Sequence, residues 1–120
     1  MAFAWQNDTL YVTCKQATYV TPRSVVEKAT GFCWDIPADG VVYEPKGTFA
    51  FISRQALRDL QANGFFVYDG ITWRLVDQGD SLHVRADIDQ TEMWIALKDD
   101  LPLVLEMRNN PLGIDWNIKQ

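Results

Sequence analysis

Residues 65–88 read FFVYDGITWRLVDQGDSLHVRADI, and this stretch decides the fold. Three runs rich in aromatic and β-branched residues are separated by the turn pairs Asp69-Gly70 and Gly79-Asp80. Asp-Gly between two such runs favours a two-residue hairpin, because a type I′ turn needs a positive φ at both central positions. The stretch therefore predicts three neighbouring antiparallel strands. By parity, Ile71, Trp73 and Leu75 face the core.

Three further extended segments follow towards the end of the chain. We assign 92–97 to a strand, although its pattern also suits a helix, and we predict strands over 103–107 and 112–118. In the last of these, the apolar residues alternate with polar ones, so Trp116 is predicted to face the core.

The first half of the chain predicts a strand, two helices and, between the helices, short extended pieces over 32–36 and 41–44. Residues 9–19 alternate imperfectly and indicate one strand. Thr21 is the predicted N-cap of a first helix, with Pro22 at its first position. A second helix is predicted from the N-cap Ser53 to the stop signal at Gly64. Its apolar stripe consists of Ala56, Leu57 and Leu60.

These elements predict an α+β fold. It is a mainly antiparallel, strongly twisted sheet of short strands, with two short helices packed on one face, in a single domain over residues 1–120. Seven large apolar side chains are the predicted core: Leu57, Leu60, Trp73, Leu75, Leu105, Ile114 and Trp116.

Composition limits the class of protein. The chain has 120 residues and a formal net charge of −5, and its eleven lysines and arginines are scattered singly. We therefore expect no nucleic-acid binding, because phosphate neutralisation needs clustered basic residues. No run is long enough to span a membrane. The first eight residues have no signal-peptide pattern, so the compartment stays open between the cytoplasm and export after removal of a leader.

Few residues suggest chemistry. Cys14 and Cys33 are interpreted as buried free thiols, with a disulfide or a reactive thiol as alternatives. His83, the only histidine, is predicted to lie on an exposed polar strand face with Arg85 and Asp87, where catalysis is not expected. The carboxylates after residue 76 are interpreted as turn residues, with a calcium site or catalytic carboxylates as alternatives. We predict no catalytic residue, no metal site and no cofactor.

Aromatic residues give the candidate binding site. Trp34 and Trp94 belong to no clear apolar stripe, and Tyr43 lies in a short extended piece. Large aromatic side chains supply core area but also line binding surfaces. These three are the candidate ligand- or partner-binding residues.

The last third of the chain resembles the closing strands of LolA-type lipoprotein carriers. The resemblance rests on the pattern of residues 93–97, 101–107 and 112–118. It implies a curved half-barrel that is closed by helices and holds acyl chains. No residue role is carried over from that family.

Three functional classes follow. The leading one is a non-catalytic binding or interaction module whose partner is an unknown protein. The second is a carrier that holds an apolar small molecule inside the curved sheet, and the third is an enzyme with an unrecognised site. Homodimerisation through an unpaired edge strand is also open.

Overall fold

The strands lie in two sheets in the computed structural model, which describes residues 2–33, 39–43, 47–97, 101–109 and 116–117. The first sheet has the order β1-β2-β3-β4, in which β4 pairs in parallel with β3 and the other pairs are antiparallel. Its strands are β1 (Ala2–Gln6), β2 (Thr9–Cys14), β3 (Gln16–Pro22) and β4 (Asp39–Tyr43).

The second sheet is an antiparallel meander of six strands in the order β10-β9-β8-β7-β6-β5. These strands are β5 (Phe65–Tyr68), β6 (Ile71–Gln78), β7 (Ser81–Ala86), β8 (Glu92–Ala96), β9 (Val104–Arg108) and β10 (Trp116–Asn117). The two helices are α1 (Arg23–Lys28) and α2 (Arg54–Asn63). The α+β class, the mainly antiparallel pairing and the two short helices are thus confirmed, and the structure adds the division into two sheets.

The hairpin between β5 and β6 has the predicted turn. Asp69 and Gly70 have φ of 54° and 73°, as a type I′ turn requires. The predicted parity also holds, because Trp73 is buried whereas Ile71 and Leu75 pack against the core from partly buried positions.

Helix α2 begins and ends where the sequence predicts. The side chain of Ser53 accepts a hydrogen bond from the Ala56 N–H, and Gly64 ends the helix in the left-handed conformation with φ of 80°. The stripe formed by Ala56, Leu57 and Leu60 is buried against the inner side of the six-stranded sheet.

Two predictions in the first half are wrong. Residues 9–19 form two strands, because Lys15 adopts a positive φ of 56° and turns the chain between β2 and β3. The N-cap of α1 is Pro22, without a side-chain cap, because Thr21 remains in β3 as the strand partner of Leu10. The buried Thr21 hydroxyl has no hydrogen-bond partner within the described part of the chain.

The core has two adjoining parts. One lies between α2 and the inner side of the six-stranded sheet, and the other joins β2, β3 and Val26 of α1 to the segment 49–51. Of the predicted core, Leu57, Leu60 and Trp73 are buried and Leu105 is partly buried. Ile114 and the side chain of Trp116 lie outside the described residues.

Candidate functional site

The three predicted binding residues have different outcomes. Trp34 lies outside the described residues. Tyr43 lies on β4 in the first sheet, with 76% of its surface exposed. Trp94 lies on β8 in the second sheet, on the side opposite the core. Tyr43 and Trp94 therefore belong to different sheets.

We call the side of the six-stranded sheet that points away from α2 its outer face. Strand alternation sends the core residues of β7, Leu82 and Val84, inward and therefore sends His83 and Arg85 outward. On β8, Met93 and Ile95 are buried against α2, so Glu92 and Trp94 face outward, whereas Ala96 at the end of the strand is buried in the second part of the core. The register places five outward residues in one row across the sheet, namely Phe65, Arg74, Arg85, Glu92 and Arg108.

Trp94 is held in place by residues of both neighbouring strands. The His83 ring, directly opposite on β7, stacks on the indole with ring centroids 4.3 Å apart and planes at 8°. The Arg108 guanidinium of β9 lies 5.0 Å from the centroid of the indole. Cation–π contact and ring stacking each fix the orientation of an aromatic side chain. Trp94 is therefore a preorganised aromatic group on the sheet surface.

Charge pairs surround this tryptophan. The Oε1 atom of Glu92 lies 2.9 Å from Nη2 of Arg85 and 2.9 Å from Nε2 of His83. The hydrogen bond from Arg85, with a smaller contribution from His83, lowers the pKa of Glu92 although partial burial opposes this effect. Because the ionised carboxylate only accepts, His83 donates through Nε2.

The prediction that His83 is exposed is wrong, because its side chain retains only 19% exposure. The strand parity behind that prediction is correct, and His83 does share its face with Arg85. The stack with Trp94 and the hydrogen bond with Glu92 cover the imidazole.

An apolar strip borders the charged row. It consists of Phe65 and Val67 on β5 and Val76 on β6, and these side chains are 38%, 48% and 47% exposed. Val76 is the extra residue of a β-bulge, because Leu75 pairs with Val84 whereas Asp77 already pairs with His83.

Arg74 links the strip to the charges. Its guanidinium lies 5.6 Å from the Phe65 ring centroid, and its Nε is 2.9 Å from both carboxylate oxygens of Asp87. One arginine thus contacts the apolar strip and a carboxylate at once.

A groove on another surface is the second candidate. It has a volume of about 480 Å³ and is lined by Asp8, Pro22, Arg23, Ser24, Glu27 and Lys28. The charges around it pair with one another, because Arg23 binds Asp8 at 3.1 Å and Arg54 binds Glu27. Arg23 also lies 4.8 Å from the ring centroid of Trp5.

The chemistry of the described residues is limited. Among them, no group of three or more histidine, cysteine or acidic side chains is placed to hold a metal ion. Cys14 is partly buried and Cys33 is buried, and no disulfide joins them. Turn chemistry explains Asp89, which accepts from the Thr91 N–H, whereas Asp77, predicted in a turn, lies in β6 and accepts from the Gln78 N–H. Neither helix in the described ranges is long and apolar enough to cross a membrane.

Comparison with known proteins gives no family. No protein-family model matches the chain, and neither a curated protein nor a solved structure matches it significantly. The resemblance of the last third to lipoprotein carriers therefore stays a prediction from the sequence.

Sequence reasoning missed most of the outer face. The sequence identified Trp94 as a candidate but did not place it beside Arg108 or on the same face as the apolar strip. It also missed Glu106, which pairs with Arg108 and lies opposite Trp94 on β9. The signal that could have found them is the alternation within each strand, once the register between strands is known.

Proposed function

We propose that this protein is a non-catalytic interaction module that binds a protein partner through the outer face of its six-stranded sheet. One observation carries the proposal: Trp94 is clamped between His83 and Arg108 on the side of the sheet that points away from α2. Tryptophan and arginine are enriched among the residues that dominate binding energy at protein interfaces.

Preorganisation supports this proposal. Binding costs free energy when exposed side chains must be ordered, about 0.5–1.5 kcal/mol for each flexible one. On the outer face Arg74, Arg85 and Arg108 are already held by Asp87, Glu92 and Glu106. A partner therefore meets side chains that are ordered before it arrives.

The composition of the face also supports a protein partner. Interfaces combine apolar area with arginine and aromatic groups. Here the apolar strip adjoins the arginine row, His83 of β7 lies between the strip and Trp94, and the three strip residues remain well exposed.

The interior of the sheet favours a module over a carrier. Side chains of α2 and the inner side of the sheet form one buried cluster, which includes Leu57, Leu60, Phe66, Met93 and Ile95. These side chains occupy the space in which a half-barrel carrier would hold an apolar ligand.

An enzyme has less support than a module. The best hydrogen-bonded acid–base pair on this face is His83 with Glu92, and both lie on an open sheet surface beside Trp94. Catalytic pairs act on a substrate held in a concave site.

The proposal is tested by affinity capture from the organism that makes the protein. Tagged wild type is compared with Trp94→Ala, Val67→Glu and the control Val41→Glu, which changes an exposed valine of the first sheet. Each variant is first shown to be folded by circular dichroism.

We expect at least one protein that wild type and Val41→Glu retain and that Trp94→Ala and Val67→Glu lose. A second copy of the chain, recognised by a different tag, counts as a partner. A set of captured proteins that neither Trp94→Ala nor Val67→Glu alters would contradict the proposal.

A further inference from the structure

We infer that the partner of the outer face is a second copy of this chain, so that two six-stranded sheets pack face to face about a two-fold axis. The inference rests on the proposed function, because it uses the same face. Two copies related by a two-fold axis present the same patch to each other, so that patch must be complementary to itself.

Charge is the first argument for a second copy. The described part of the outer face carries three arginines (Arg74, Arg85, Arg108) and four carboxylates (Asp77, Asp87, Glu92, Glu106), which gives 3 − 4 = −1 with His83 neutral. The whole chain carries −5. Two identical acidic chains therefore meet with little repulsion on this face, where most of the negative charge is absent.

The order of charges along single strands is the second argument. Strand β9 carries Glu106 and Arg108 at successive outward positions, and β6 carries Arg74 followed after the bulge by Asp77. A two-fold axis that runs across the strands, in the plane between the sheets, stacks each strand antiparallel on its own copy. Each of these arginines then faces the carboxylate of the other copy.

The apolar strip fits the same axis. Phe65 lies in the row of Arg74, and Val76 lies one outward position further along β6. The axis that exchanges these two rows brings Phe65 of one copy towards Val76 of the other. An axis parallel to the strands would instead place Val76 of β6 over the charged strand β9. The axis across the strands is therefore the one that matches Phe65 with Val76.

The size of the face predicts a weak dimer. Strands β5 to β9 are four to eight residues long and about 4.8 Å apart, so a patch five residues deep covers about 19 Å by 17 Å, or about 320 Å² of flat area. Side-chain relief raises the accessible area to about 500 Å² per copy, in the range of weak interfaces. We expect a dissociation constant on the order of 10 µM.

Sedimentation velocity from about 1 to 300 µM tests the inference, since this range brackets the expected constant. It compares wild type with Val76→Glu on the outer face and with Val41→Glu on the exposed edge strand β4. Both substitutions place the same new charge on a well-exposed valine, so they are matched in chemistry.

We expect wild type and Val41→Glu to shift with concentration towards twice the 13.7 kDa chain mass. Val76→Glu should weaken the dimer at least about 30-fold, because it puts a carboxylate against Phe65 of the other copy. A wild type that is monomeric throughout overturns the inference. So does a dimer that Val41→Glu disrupts and Val76→Glu leaves intact, since that dimer pairs through the edge strand.

The two proposals fail separately. A monomeric wild type that still captures a protein sensitive to Val67→Glu keeps the proposed function and overturns the homodimer. A monomeric wild type with no such protein overturns both.

Discussion

Removing the hydroxyl of Tyr68 should destabilise the protein by about 2–4 kcal/mol. Tyr68 is fully buried, and its hydroxyl accepts a hydrogen bond from the Ser53 N–H at 2.9 Å. Thr48 gives its own hydroxyl proton to the Phe51 carbonyl at 2.6 Å, so Tyr68 is the donor in its 2.8 Å bond to Thr48. Tyr68→Phe leaves the Ser53 N–H buried without its acceptor, which costs about 1–3 kcal/mol, and also removes a bond worth about 1 kcal/mol.

The same tyrosine gives a pH dependence. Burial, only partly offset by hydrogen bonds to Thr48 and Ser53, raises the pKa of Tyr68 from 10.0 to about 12. Above pH 10 the unfolded chain loses this proton while the folded chain keeps it, so stability falls as pH rises towards 12. Each tenfold difference in proton affinity is worth about 1.4 kcal/mol, so the loss reaches about 3 kcal/mol. The variant Tyr68→Phe has no titrating hydroxyl at this position, so its stability does not fall for this reason.

Urea unfolding at pH 7 and at alkaline pH measures both effects. At pH 7 we expect the midpoint of Tyr68→Phe to lie about 1–2 M below that of wild type. Tyr43→Phe is the control, since Tyr43 is well exposed and should change stability by less than about 0.5 kcal/mol. The difference between wild type and Tyr68→Phe should narrow from pH 10 to pH 12. A change below about 0.5 kcal/mol at pH 7, or a constant difference across the alkaline range, would refute the reasoning.

Three further predictions concern the core, a helix end and the outer face. Trp73→Ala should lower the free energy of unfolding by about 3–5 kcal/mol, because Trp73 is buried, whereas Trp94→Ala on the outer face should lower it less. Urea unfolding compares the two variants, and equal losses would show that Trp94 is a core residue. Gly64→Ala should cost about 1 kcal/mol of stability, because Gly64 has a φ of 80°. Gly79→Ala should be neutral, because Gly79 has open space around it and no positive φ. Thermal unfolding compares the two variants, and a larger loss for Gly79→Ala than for Gly64→Ala would disprove the assignment of Gly64 as the left-handed helix end. The pKa of Glu92 is lowered, so its contribution to stability is present above the unfolded-state pKa and is lost as the solution is acidified through the folded-state pKa. Glu92→Gln should therefore make unfolding less dependent on pH between about 3 and 6, and an unchanged pH profile would argue against the ion pair.

Local signals predicted local structure well. The pair Asp69-Gly70 specifies its turn because both residues tolerate a positive φ, and Ser53 and Gly64 mark the ends of α2 because their chemistry satisfies the helix ends. The turn at Lys15 escaped prediction because a lysine with a positive φ gives no sign in the sequence.

Long-range pairing set the limit of the sequence prediction. The parallel contact of β3 with β4 and the division into two sheets depend on segments far apart in the chain. The candidate site has the same limit. Alternation places His83 and Trp94 on faces of their own strands, but only the register of β7 with β8 makes them neighbours. An exposed histidine was therefore predicted where a half-buried, stacked one is found.

Native mass spectrometry of the protein purified from its own source tests the central claim most directly, with Val67→Glu measured beside wild type. It reports a second copy, another protein and a bound small molecule in one spectrum. The outer-face account predicts a complex with a protein chain, either a second copy or a different one, that Val67→Glu removes. A monomer that carries a lipid-sized mass in both forms would contradict the account and support the carrier.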